Sequence, residues 1–394
     1  MRFSERKRDV AIVGVGSTKF DEHWDKGLKD LIAEAGFKAA TEAGIRGKDV
    51  ELIVGGNMSG GMFVGQEHIA ALVADTMGLQ PTPSIRVEAA CASGSLALET
   101  GYMAVASGMY DVVLVGGVEK MTDVYTPGAT TALAGAMDLE WEAYFGLTFP
   151  GIFALIAQRY MYEYGLTREQ LALVAVKNHD HGYHNPLAQF RRKITMEDVL
   201  NSTLVADPLR LLDCSPITDG AATMVLVPAD KARQYTDTPI VISGIAQASD
   251  TLSLFNRKHL CTVNATVEAG KQAFDQAKIS HKDVDLVEVH DCFTIAEIVA
   301  LEDLGFCKKG EAAKLYEEGE VWVGGSLPVN TDGGLKSAGH PVGATGIKQV
   351  IEIVHQLRGE SPEPVQVKGA EIGVAHNLGG SGATVVVTVL KRGD

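Results

Sequence analysis

Cys91, His290, Cys292 and His340, with the glycine-rich run Ala375-His376-Asn377-Leu378-Gly379-Gly380-Ser381-Gly382, are the parts of this chain best suited to chemistry. Cys91 stands where a short β-branched run (Ile85, Val87) meets a helical pattern that starts at about Ser93 and stops at Gly108. On such a strand-to-helix turn, unpaired backbone N–H groups and the helix dipole favour an anion, and this setting lowers a thiol below its usual ~8.5. A buried, inert cysteine is the competing account. His290 and Cys292 lie two apart in Glu288-Val289-His290-Asp291-Cys292-Phe293-Thr294, just past a strand expected over 284–289, where open α/β sheets hold ligands. His340 sits in Lys336-Ser337-Ala338-Gly339-His340-Pro341-Val342-Gly343-Ala344-Thr345-Gly346, a loop made rigid by Pro341 and allowed tight turns by its glycines. The run 375–382 reads as a loop before a terminal strand over 383–390, able to aim bare N–H groups at an oxyanion. Each of these, taken alone, also fits a structural role. The basic cluster Arg191, Arg192 and Lys193 fits a solvated turn or a phosphate contact.

The elements that must position these residues are legible as a duplication. Residues 9–16 read as a buried strand ending in a glycine turn, 27–43 as a helix and 52–54 as the next strand. The early G-x-G lacks the rest of a dinucleotide fingerprint and is discounted as a cofactor signal. A shift of 234 residues lays 35–52 onto 269–286 with nine identities in eighteen positions and no gap: Ala35, Gly36, Ala39, Ala43, Ile45, Lys48, Asp49, Val50 and Leu52 meet identical residues. A period this long is no solenoid and points to two fused copies of one α/β unit. Strand 240–242 then restates strand 10–13, and a helix over 345–358 restates the helix over 93–107. Strands alternating with helices lead to the expectation of mainly parallel sheets between helical layers. Between the copies lies a segment rich in loop signals, with helices expected at 150–164 and 167–184, the latter opening at Thr167 with Glu169 and Gln170 in its first turn. The division is 1–118 with 236–250 as the first half, 119–235 as an insertion returning to the core, and 251–394 as the second half. An insertion of this length is expected to carry substrate contacts.

Composition excludes several classes. A hydrophobic share of 46% with 22% charged residues is that of an ordinary folded protein. The net charge of −15 argues against a nucleic-acid surface but allows a local anion site. The five cysteines form no C-x-x-C pair and no zinc spacing, so a reducing cytoplasm is expected and no metal site is. No apolar signal core follows the basic start Met1-Arg2-Phe3-Ser4-Glu5-Arg6-Lys7-Arg8, and no run is apolar and long enough for a transmembrane helix.

Taken together, five motifs resemble the thiolase family in content and order: the Cys91 turn, Val115-Gly116-Gly117-Val118-Glu119-Lys120-Met121, Asp213 to Ala222, Gly339 to Gly346, and the last glycine run. The resemblance spans essentially the whole chain. It implies a duplicated five-layer α-β-α-β-α core with an inserted loop domain, homodimers or homotetramers, and coenzyme A thioesters as substrates with no cofactor. It implies Cys91 as the acyl-accepting nucleophile, His340 as its activator, the N–H groups of Cys91 and Gly379 as one oxyanion hole, and Ser215 near the substrate. The best-known thiolases carry a second cysteine where this chain has Asn377, and an Asn-Glu-Ala-Phe-like motif where it has His290-Asp291-Cys292-Phe293. That pattern is similar to the sterol-carrier-protein-type thiolases and their archaeal relatives named acetyl-CoA acetyltransferases. It puts Cys292 in the acid/base role and His290 beside His340 in the other oxyanion hole.

That set covers what condensing two acetyl thioesters requires. One cysteine needs an activating base, a second base must take a proton α to a thioester carbonyl, and two oxyanions need donors worth roughly 10²–10³ in rate each. The resemblance also implies a place in mevalonate synthesis, coupled to a hydroxymethylglutaryl-CoA synthase and a small zinc-ribbon/OB-fold protein. The rival readings are a thiolase-like retro-aldolase of steroid side chains, whose members tend to lack the nucleophilic cysteine, and a non-catalytic acyl-CoA-binding scaffold. Tyr125, Trp141, Tyr144, Phe145 and Phe149 are the residues expected to close or shape the acyl pocket.

Overall fold

The computed structural model describes residues 8–393, and the basic start at residues 1–7 lies outside the described residues. Its strands are β1 (Val10–Ser17), β2 (Leu52–Gly56), β3 (Ser84–Val87), β4 (Val113–Glu119), β5 (Leu204–Ala206), β6 (Leu209–Arg210), β7 (Gly220–Pro228), β8 (Ile240–Ser249), β9 (Leu286–Glu288), β10 (Ile372–Gly379) and β11 (Thr384–Arg392). β5 and β6 make a ribbon in the insertion, and the rest form one sheet in the order β3-β2-β4-β7-β1-β8-β11-β10-β9.

The repeated stretch folds twice into the same unit. In the first copy the helix Leu28–Glu42 leads through a single turn at Gly47–Asp49 into β2; in the second, Asn264–Ala277 leads through His281–Asp283 into β9. The identical aspartates do identical work, Asp49 accepting the Arg46 N–H at 2.9 Å and Asp283 the Ser280 N–H at 2.7 Å. β1 does not end at its glycines but runs through Gly14 and Gly16, because the helix lies too close for a side chain: a Cβ on Gly14 would come 2.5 Å from Ala39 O. The second copy repeats the device, with Gly244 of β8 set 2.2 Å from Ala273 O in the same sense.

The expectation of mainly parallel sheets is overturned. Pairs β2–β3, β2–β4 and β9–β10 are parallel, whereas β4–β7, β7–β1, β1–β8, β8–β11 and β11–β10 are antiparallel. Parallel neighbours need a crossover, usually a helix. β11 follows β10 through a tight turn, and β7 enters from the insertion, so neither is delivered by one. β8 pairs with β11 along Thr384–Arg392 but with β1 only at Ala11 and Ile12. At that seam the sheet wraps around a shared middle layer.

That layer consists of the helices Ser93–Ala106 and Thr345–Arg358. Leu98, Val105, Ile347 and Val350 pack there between Val54 and Val115 of the first copy and Ala375 and Val386 of the second. Each such fully buried side chain contributes about 1.5–3 kcal/mol. The helix Leu28–Glu42 covers the outer face of the first copy through Leu31 and Ala35. Ala269, Ala273 and Ile298 cover that of the second, joined there by Ile152, Phe153 and Leu171 of the insertion. Five layers, α-β-α-β-α, result.

The insertion's main helices, Phe149–Tyr164 and Arg168–His184, start where expected. Thr167 Oγ1 accepts the Gln170 N–H at 3.2 Å while Gln170 Oε1 accepts the Thr167 N–H at 3.0 Å, a reciprocal cap. Among the described residues, no helix is long and apolar enough to cross a membrane.

Candidate active site

The two middle helices meet at their N-termini, and this contact builds the site. A Cβ on Gly94 would lie 2.9 Å from Gly343 O, and one on Gly346 would lie 2.4 Å from Ser95 N. Glycine on both sides lets the backbones touch, so the turn before one helix, with Cys91, faces the loop before the other, with His340. The Cys91 turn is itself strained: Ala90 has φ +51°, a left-handed conformation costing a non-glycine residue about 1 kcal/mol or more. Ser93 holds it there, its Oγ donating to Ala90 O at 2.6 Å and accepting the Ala89 N–H at 2.9 Å.

Past the end of β9, His290, Asp291 and Cys292 enter from a third direction. Asp291 accepts the N–H groups of Leu335 (2.7 Å) and Lys336 (3.1 Å) and an amide proton of Asn178 (2.7 Å), tying the segment to the His340 loop and to the insertion. Phe293 stacks on Phe153 of the insertion with centroids 4.7 Å apart. The result is a cavity of about 330 Å³ lined by Cys91, Cys292, His340, Ser215, Phe149 and Gly380, among others. The Cys91 sulfur and a ring nitrogen each of His290 and His340 lie within 4.8 Å of one another, and the two rings meet edge to face at 5.0 Å. Cys91 is 8% exposed, Cys292 7%, His340 6% and His290 0%.

Hydrogen bonds fix the tautomers. Thr345 Oγ1 donates to Pro341 O at 2.9 Å, so at 2.7 Å from His340 Nδ1 it accepts, and the His340 proton resides on Nδ1. Asn377 Nδ2 donates to His290 Nδ1 at 3.0 Å, which leaves the His290 proton on Nε2. Both Nε2 atoms are buried without a partner. The cavity is therefore offered one bare base, from His340, and one bare donor, from His290.

Electrostatics depart from the sequence expectation. The turn was expected to lower the Cys91 thiol, but burial pushes it up to about 12, with Glu119 and Glu88 adding to the rise; the N–H groups of Gly380 and of Cys91 itself pull the other way and do not win. Cys292 is raised well above its ordinary value, first by burial and then by the neighbouring Cys91. Burial pushes His340 down to about 3 and His290 well below its usual range, the latter also opposed by charge on His340 and His376. The resting site thus holds two neutral thiols and two neutral imidazoles.

Cys91, Cys292, His340 and Ser215 line the cavity, with the Ser215 N–H on Cys292 O at 2.9 Å, and His290 stands behind them. One assignment shifts by a residue. Gly379 belongs to β10, pressed on Ala89 O so closely that a Cβ would come within 2.2 Å, and the N–H at the Cys91 sulfur is that of Gly380 in the turn beyond. Arg191 and Arg192 are exposed and do not line the cavity. Of the five aromatic residues expected to close or shape the pocket, Phe149 lines it; Tyr125, Trp141, Tyr144 and Phe145 are exposed. Met121 and Phe153 complete the apolar wall from within the stretch 119–155 expected to line the pocket, and Val342, which sequence reasoning did not assign to the wall, joins them. Sequence reasoning also missed Thr345, whose place one turn beyond His340 was readable.

The chain matches two family models: thiolase, N-terminal domain, over residues 10–230, and thiolase C-terminal domain-like, over residues 246–392. It is 57% identical to an acetyl-CoA acetyltransferase of Methanothermobacter thermautotrophicus over 98% of this chain and 100% of that one. The acetyl-CoA acetyltransferase of Methanocaldococcus jannaschii is 52% identical over 98% and 99%. Sterol carrier protein 2 of Gallus gallus is 36% identical over 98% of this chain and 72% of its own length. Among solved structures, the Ltp2-ChsH2(DUF35) aldolase superposes with a TM-score of 0.86 at 29% identity, covering 98% of both chains.

Proposed function

The chain belongs to the thiolase family and is an acyltransferase, and from that premise we propose that it condenses two acetyl-CoA molecules into acetoacetyl-CoA and CoA through an acetyl-Cys91 intermediate, reversibly. The observation that carries this reading is the meeting of Cys91, Cys292 and the bare His340 Nε2 in one cavity.

The protons balance without any thiolate at rest. As the Cys91 sulfur attacks the thioester carbonyl, its proton passes to His340 Nε2, and the N–H groups of Gly380 and Cys91 hold the oxyanion. Collapse expels CoA as a thiolate, which takes the Cys292 proton and leaves as CoA. Cys292, now a thiolate, removes the α proton of a second acetyl-CoA. The enolate oxygen accepts from His290 Nε2–H and from the protonated His340, and the enolate carbon attacks acetyl-Cys91. The new tetrahedral intermediate breaks its C–S bond, Cys91 recovers its proton from His340, and acetoacetyl-CoA departs. Buried, neutral thiols suit this sequence because each is ionised only when a proton acceptor of matching strength is present.

Intact mass after mixing with acetyl-CoA tests the first step: the wild type should gain one acetyl group, and Cys91→Ala none. Active wild type without an adduct would sink the proposal. Cys292→Ala should still acetylate but lose condensation by at least about 10²-fold. Condensation at the wild-type rate would remove Cys292 from the acid/base role.

The subfamily resemblance supports a supply role for mevalonate synthesis with a hydroxymethylglutaryl-CoA synthase and a small zinc-ribbon/OB-fold partner. The superposition on a chain named for a two-protein aldolase lends support to a partner of some kind. The same name favours retro-aldol cleavage as a second reading. An aldolase needs no acyl-cysteine, so thiolysis of acetoacetyl-CoA by added CoA separates the two.

A further inference from the structure

The geometry points to a second use of the same three side chains: Cys91, His290 and His340 form a chelating site for a thiophilic divalent cation, Zn²⁺, that occupies the nucleophile and halts acylation. The donors are one sulfur and two imidazole nitrogens, the set zinc prefers, and all three are buried within 4.8 Å of one another. Both Nε2 atoms are without a partner, an unusual condition for imidazoles this deeply buried. Each ring is anchored from behind through Nδ1, to Thr345 and to Asn377, as ligating histidines are held by their outer hydrogen bonds. Cys292 lines the same cavity but stands outside this three-donor cluster, which leaves the fourth tetrahedral position to water.

The distances are compatible with this. Ligands about 2.0–2.3 Å from one ion at tetrahedral angles lie roughly 3.3–3.8 Å apart, so the donors need to close by at most about 1.5 Å. Charge also balances. Zinc displaces the thiol proton to solvent, forming a Zn–S bond in place of S–H, and the buried Glu119 carboxyl, close enough to Cys91 to oppose its ionisation, supplies a second negative charge when its own proton also leaves. His290 needs only to move its ring proton from Nε2 to Nδ1, where the Asn377 amide can turn its oxygen to accept. Among the described residues no carboxylate joins the three donors, so hard cations such as Mg²⁺ are not held. Blocking of acylation rests on the acyl-transfer reading above; chelation does not.

Equilibrium dialysis of the full chain against micromolar ZnCl₂, with zinc counted by elemental analysis, reads the site without turnover. One zinc per chain is expected, with affinity falling at least about tenfold in Cys91→Ser and in His340→Asn, and no competition from excess MgCl₂. Circular dichroism of both variants checks that they fold. Zinc should block acetylation of Cys91 by acetyl-CoA as read by intact mass, a chelator should restore it, and pre-acetylated protein should bind none. Zinc bound equally by wild type and both folded variants would overturn the site, as would its failure to bind the wild type. Zinc bound through Cys91 to a protein that acetyl-CoA never acetylates would leave the site standing and remove the acyl-transfer reading instead.

Discussion

A histidine held neutral by burial is also a liability in acid. His290, His340 and His376 are buried, and burial holds His340 and His376 at about 3. Above pH 6.5 both the folded and unfolded forms are neutral, and the full stability is present. As pH falls below 6.5 the unfolded chain takes up protons that the folded one refuses, so stability is lost progressively toward pH 3. Each such histidine then costs roughly 2 kcal/mol by pH 5. Glu119 and Asp291, raised to about 7 by burial, work in the opposite sense, since the folded form binds their protons more tightly than the unfolded one between about 4 and 7. A substitution therefore separates the two contributions. His376→Gln, behind His290 with its Nδ1 3.4 Å from the His290 N–H, should narrow the drop in melting temperature between pH 7.5 and pH 5 relative to wild type. An unchanged drop would mean that His376 is protonated in the folded state. At this scale the sequence disclosed residue types but not their charge states. Cys91 was legible from its turn; its neutral thiol was not, because the desolvation comes from residues far away in the chain.

The helix contact that brings Cys91 to His340 is a matter of elements. A methyl group at Gly346 would fall within 2.4 Å of Ser95 Oγ, Ser95 N and Asn377 Oδ1, two of them held in place by the packed helix and β10. Gly346→Ala should cost about 1–3 kcal/mol of stability, because a well-packed contact has no room to yield. If it folds, it should slow acetylation of Cys91 by more than about tenfold, since a misplacement of 1 Å can cost up to 10²-fold. Stopped-flow acylation with a melting curve checks both; an acylation rate equal to wild type would show that the helix contact does not set the Cys91–His340 distance. The helices, the caps and the duplicated units were readable because periodicity and cap residues are local signals. Strand direction was not. β7 and β11 look like any other apolar strand, and only the turn and the insertion feeding them decide that they run antiparallel. Gly379 and Gly380 differ by one position in a hairpin register, which no residue pattern specifies.

Seen whole, the molecule has two copies but one interior. The middle helices bury side chains from both copies in a single cluster, and the insertion from the first copy packs on the outer layer of the second. Heating should therefore give one cooperative transition, with calorimetric and van't Hoff enthalpies in agreement, despite the duplication. Two resolved transitions would show that the copies unfold independently. The symmetry is nonetheless broken where it matters most. Two residues before the first middle helix stands Cys91; two residues before the second stands Gly343, where even a Cβ would lie 2.5 Å from Val118 O and 2.7 Å from Glu119 Oε2. The duplicated fold has thus left its second nucleophile seat too small for any side chain. On the acyl-transfer reading proposed above, each polypeptide carries one acyl passenger at a time, and a duplication that doubled the scaffold did not double the number of such centres.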